Sequence, residues 1–162
     1  MVFGDAGGAA LVFALAVTVH NLEEWIWLPG FQGPPAFRPP SAFSFRFAVA
    51  VITLLFWAVP AGMALGISLD PVLAGFSAAM IFNAAIPHLA ASVWFRRYHP
   101  GTATAWLLVV PAALYALAVV GPHRLKEPSF AFGAAAGLLA LGVSVPLLIG
   151  VGRHVERWRV TS

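Results

Sequence analysis

Five long apolar runs constrain this 162-residue chain more than anything else in it. They cover roughly residues 6–28, 42–66, 70–95, 102–121 and 127–151. Each reaches the ~20 residues an α-helix needs to cross about 30 Å of hydrocarbon, and none shows the alternation of a membrane-barrel strand. Proline and glycine mark the joins, at Pro29-Gly30, Asp70-Pro71, Pro100-Gly101 and Gly121-Pro122. The predicted fold is all-α: a polytopic bundle of five transmembrane helices, one domain over residues 1–162, with no internal repeat. Composition agrees. Only 9% of residues are charged and 60% are hydrophobic, where a soluble domain carries about 25% charged residues.

Lysine and arginine set the expected orientation. Arg38, Arg46, Arg96, Arg97, Arg153, Arg157 and Arg159 share one side of such a bundle; only Arg124 and Lys126 lie on the other. The positive-inside rule then puts the N-terminus outside and the C-terminus in the cytoplasm of a cell that inserts the chain, multi-pass, in its inner (plasma) membrane. Trp25, Trp27, Trp94 and Trp158 fall at the cytoplasmic ends, as an aromatic belt does. Asp5 is the sole charge before the first run, so no cleavable signal peptide is expected. The pI near 10.2 comes with a net charge of only +3. Without a basic stripe carrying interleaved aromatics, nucleic acid is not an expected partner. The expected partners are bilayer lipid and a hydrophobic small molecule or lipid, and homo-oligomerisation stays open. Cysteine is absent, which excludes disulfides and thiolate metal sites.

Gly62/Gly66 and Gly133/Gly137 are small-xxx-small pairs suited to close helix contact, or simply a reflection of composition. Pro60, Pro87, Pro111 and Pro146 each free a carbonyl one turn back. The connector from Pro29 to Ser41 reads as an interfacial loop or as a lid over the cytoplasmic mouth.

The chemistry is concentrated in His20-Asn21-Leu22-Glu23-Glu24-Trp25. At about 100° per residue, Glu23 lies about 60° to one side of His20 and Glu24 about 40° to the other. One imidazole and two carboxylates share an arc continued by Phe13, Val17 and Trp27. Two glutamates so near a helix end can also snorkel to the headgroups, which accounts for Glu24 best and His20 worst. His88, about seven residues before the end of the third helix, lies at nearly the depth of His20. Asn83 has a carbonyl freed by Pro87. Tyr98 and His99 stand at the same mouth beside the Pro100-Gly101 turn, with Thr102 as the expected N-cap of the fourth helix. Thr104, Trp106 and Tyr115 lack an assignable direction. His123 and His154 are expected in solvent.

Together, His20-x-x-Glu23-Glu24, the later His88 and Tyr98-x-Pro100-Gly101 resemble the HXXEE family of bacterial membrane proteins. The resemblance spans residues 20 to 101 and implies that His20, Glu23, Glu24, His88, Tyr98, Pro100 and Gly101 are its marked positions. It carries no assigned reaction.

The residues themselves favour a metal-dependent membrane enzyme acting on a hydrophobic or lipid-like substrate near the cytoplasmic leaflet. Imidazole and carboxylate ligands suit Zn²⁺, Fe²⁺ or Mn²⁺. His20, His88 and Glu23 or Glu24 are the candidate ligands. The other glutamate and Tyr98 are candidate catalytic groups, with Asn83, Trp27 and His99 in supporting or substrate-facing positions. Two other readings stay open: metal-free acid–base isomerisation or cyclisation, and a non-enzymatic transporter, bis-histidine haem carrier or accessory subunit.

Overall fold

The computed structural model describes residues 5–33, 41–121 and 124–161. Arg38, Pro122, His123 and most of the expected lid lie outside the described residues. Among those described there are only helices and their connections. Five helices are long and apolar enough to cross a membrane.

Helix α1 (Ala6–Trp27) starts where the Asp5 side chain accepts the Gly8 N–H at 2.7 Å, and it runs into a 3₁₀ turn, Leu28–Gly30. Helix α2 (Ala42–Ala64) is capped by Ser41, whose side chain accepts the Ser44 N–H. Helix α3 (Asp70–Trp94) and helix α4 (Thr102–Val120) are each interrupted by a π segment, at Ala84–Ala90 and Ala105–Val109. Proline accounts for the location of both. Pro87 lies inside the first and Pro111 just past the second, each removing an amide hydrogen so that the ladder widens to span the gap.

Helix α5 (Pro128–Thr161) is the largest departure from expectation. It has 34 residues, roughly 51 Å at helical rise, and continues well beyond residue 151. The basic tail ends the apolar pattern without ending the helix. The extension is tied to the bundle by Glu156, which accepts hydroxyls of Ser41 and Ser44, and by Arg159 over the Phe43 ring.

The helices form a closed ring in the order α1, α2, α5, α3, α4. Phe13, Phe56 and Phe76 fill its interior, with ring centroids 5.5 Å apart for the first pair and 5.0 Å for the second. Val17, Leu73, Val109 and Ala113 pack around them, while Leu54, Leu107, Leu139 and Leu147 point outward. An apolar exterior around a packed interior is what a lipid-solvated bundle requires.

Gly133 and Gly137 do face another helix, packing on Pro71 and Val72 of α3. The other pair does not act as a pair. Gly62 meets Leu69 of its own hairpin, and Gly66 lies past the helix end at φ +81° with nothing near it. Thr102 is not an N-cap through its hydroxyl either. Gly101, at φ +91°, occupies that position, and the Thr102 hydroxyl donates back to the His99 carbonyl at 2.7 Å.

The two ends of the bundle differ. Arg124 pairs with Asp70 at one end. At the other, Arg46 donates to the Trp25 carbonyl and Arg97 lies over Phe31. The histidines and glutamates of the motif gather at this second, arginine-rich end.

Candidate metal centre

Helix α1 presents His20 and Glu24 one turn apart, and the π segment of α3 carries His88 toward them. One ligand atom from each lies within 4.8 Å of the others. His88 Nε2 is 3.2 Å from Glu24 Oε1, and His20 Nε2 is 3.9 Å from the same oxygen. The two imidazoles meet edge to face with centroids 4.9 Å apart. Both histidines are 1% exposed, and the Glu24 side chain 15%. The snorkelling alternative therefore fails for His20 and does not describe Glu24, which turns inward to the histidines.

Acceptors fix one nitrogen of His88. Its Nδ1 lies 3.0 Å from the Pro100 carbonyl, which can only accept, so Nδ1 carries the hydrogen. In a neutral ring Nε2 then keeps its lone pair. That Nε2 is buried without a hydrogen-bond partner, since the Glu24 oxygen 3.2 Å away can, like the bare nitrogen, only accept. A buried, unpartnered nitrogen is uncommon and calls for a reason.

The structure separates the two glutamates. Glu23 Oε1 accepts the Gly101 N–H at 2.9 Å and the Tyr98 hydroxyl, and its Oε2 accepts the Thr104 hydroxyl at 2.6 Å. Glu23 thus clasps the end of α1 to the turn between α3 and α4. Tyr98 belongs to this clasp, where it also accepts the Ala103 N–H at 3.2 Å. Gly101 completes the arrangement from below: a β-carbon there would lie 2.5 Å from His88 Cε1 and 2.9 Å from His20 Cε1.

His99 is buried beside His88, with its Nδ1 on the same Pro100 carbonyl at 3.0 Å and its ring against Phe31. Burial first, and then the neighbouring His88, hold its pKa below the ordinary histidine value. Trp27, the last residue of α1, is 64% exposed. Asn83 is half-buried and, among the described residues, makes no side-chain hydrogen bond to the cluster. The carbonyl that the π segment opens toward α4 is that of Ala84, and the Trp106 indole fills it at 3.2 Å.

Burial and the hydrogen bond donated to Glu23 raise the Tyr98 pKa above its ordinary value of 10.0. A group raised on folding stabilises the fold below its unfolded pKa and loses that contribution as pH climbs through the folded one. The clasp is therefore expected to hold at neutral pH and to loosen only above about pH 10. Thermal melts across this range should show a loss that Tyr98→Phe reduces.

Sequence reasoning left Thr104 without a direction and missed the Pro100 carbonyl as a histidine anchor. Nothing in one helix's periodicity reveals a hydroxyl or carbonyl supplied by another.

A family model described as "Protein of unknown function with HXXEE motif" matches residues 11–116. The chain belongs to the HXXEE family. A relative in Bacillus subtilis (strain 168), "Uncharacterized protein YrkK", is 34% identical over 152 residues, covering 89% of this chain and 95% of that one. No solved structure matches. In HXXEE terms, the histidine and the second glutamate of the motif enter the three-residue cluster, while the first glutamate makes the clasp.

Proposed function

We propose that this HXXEE protein is a divalent-metal-dependent membrane enzyme whose ion is held by His20, Glu24 and His88. The observation that carries this reading is the unpartnered Nε2 of His88, buried within reach of a carboxylate and a second imidazole. Two imidazole nitrogens and one carboxylate oxygen suit Zn²⁺, Fe²⁺ or Mn²⁺ and leave coordination positions open. Such an ion supplies Lewis-acid polarisation or a water of lowered pKa. The protein contributes the orientation of the imidazoles and a largely dry setting. Glu24, the most accessible of the three residues, marks the side from which a substrate reaches the centre. With the bundle's outer surface apolar, that substrate is hydrophobic or lipid-like. The arginine-rich end is placed in the cytoplasm by the positive-inside rule, which puts the centre near the cytoplasmic leaflet of the inner membrane.

The contact of Glu24 with His88 also supports a second reading, metal-free acid–base catalysis by this pair. Haem carriage is disfavoured, because two rings in edge contact leave no space for a porphyrin between them. Elemental analysis of the detergent-purified protein separates the readings. The expected result is stoichiometric Zn, Fe or Mn, lost in His20→Ala and in His88→Ala. Retention of metal by both variants, or a parent that takes up none when offered each ion, would overturn the metal assignment.

A further inference from the structure

We infer that Thr104 is a positioning residue: its hydroxyl links the Glu23 carboxylate to the His20 imidazole and sets which nitrogen of that ring is bare. Thr104 Oγ1 has three neighbours: Glu23 Oε2 at 2.6 Å, the Gly101 carbonyl at 3.3 Å and His20 Nδ1 at 3.1 Å. A carboxylate oxygen and a backbone carbonyl only accept, so the single hydroxyl proton goes to one of them. Toward His20 the oxygen can then only accept. His20 Nδ1 must carry a hydrogen, and the neutral ring keeps its lone pair on Nε2, the nitrogen facing Glu24 Oε1.

His88 reaches the same state by another route. Its Nδ1 is held by the Pro100 carbonyl, a backbone group that side-chain substitution leaves in place. The two rings are matched, His88 by main chain alone and His20 by a threonine with the Gly101 carbonyl beside it, so that both bare nitrogens belong to the cluster. A hydrogen bond at the far nitrogen is how proteins orient an imidazole toward a metal, and removing such a partner typically weakens metal affinity about 10–100-fold. The assignment gives the two adjacent glutamates separate roles: Glu24 faces the histidines, and Glu23 engages the hydroxyl that orients one of them. Its bearing on metal affinity rests on the proposed metal centre, but the tautomer does not.

The test uses the full chain in detergent, metal-free and ¹⁵N-labelled at histidine, near pH 8, above the ordinary imidazole pKa of about 6.5. His20 signals are assigned by their absence in His20→Asn. The expected result is the Nδ1–H tautomer for His20 in the parent and in Thr104→Ser, and a loss of that preference in Thr104→Val. Titration with Zn²⁺ should show affinity about 10–100-fold weaker for Thr104→Val, with Thr104→Ser close to the parent. An Nε2–H tautomer in the parent would overturn the inference even if no variant folds. So would a Thr104→Val protein with parental tautomer and Zn²⁺ affinity, and in that case the metal centre itself stands. If the tautomer follows Thr104 while the parent binds no Zn²⁺, Fe²⁺ or Mn²⁺, the positioning role stands and the metal reading falls.

Discussion

Replacing Gly101 with alanine is expected to destabilise the protein by about 2–5 kcal/mol and to abolish the proposed metal uptake. Two costs combine. The residue sits at φ +91°, where a side chain costs about 1–2 kcal/mol. The new methyl would also lie 2.5 Å from His88 Cε1 and 2.9 Å from His20 Cε1, an overpacking that typically costs about 1–3 kcal/mol. Neither ring can retreat freely, because His88 is anchored on the Pro100 carbonyl and His20 on Thr104. Gly66 provides the control. It too has a positive φ, +81°, but nothing stands within 4 Å of its missing β-carbon. Gly66→Ala should therefore show only the backbone cost and leave the proposed metal uptake at the parent level. Thermal melts in detergent with metal analysis read both effects, and equal losses in the two variants would contradict the geometry.

Gly75→Ala is the second large effect, and its origin is packing between α3 and α5. A β-carbon at Gly75 would lie 2.3 Å from the Ala134 carbonyl oxygen and 3.0 Å from the Leu138 amide nitrogen. These are backbone atoms of a continuous helix, so relief requires moving the helix, not turning a side chain. The expected cost is about 3 kcal/mol or more, at the top of the overpacking range. Gly142, also in α5, has nothing within 4 Å. There alanine should be neutral or stabilising by up to about 1 kcal/mol, since it is the better helix former. Unfolding titrations of both variants check the contrast, and a stable Gly75→Ala protein would mean that α3 and α5 do not cross so closely.

The glycines show how far a single sequence can be read. Gly133 and Gly137 announce a helix contact by their spacing, and they make one. Gly75 stands alone in its helix, and only the facing backbone of Ala134 gives it meaning. Gly66 belongs to a spacing pair and packs on nothing. A spacing rule reports that two helices can approach; which helix approaches which depends on where the chain returns.

The candidate site divides along the same line. The pitch of α1 placed His20, Glu23 and Glu24 on one arc, and depth along two helices matched His20 with His88. Both follow from local geometry and need no partner. Which glutamate joins the histidines could not be read, because on α1 alone Glu23 and Glu24 flank His20 almost evenly. The choice is made by the turn between α3 and α4 and the start of α4, where the Gly101 amide, Tyr98 and Thr104 supply three donors to Glu23 and leave Glu24 to the histidines.

What the amino-acid order determined alone was the number of helices long and apolar enough to span a membrane, their approximate limits and the shared depth of His20 and His88, since hydrophobic length and helical pitch are properties of one segment at a time. The tertiary structure decided the ring of helices, the extension of α5 and the division of labour between the glutamates. Each of these depends on atoms donated by a distant part of the chain, and free energies of contact between segments are not encoded in the periodicity of either one.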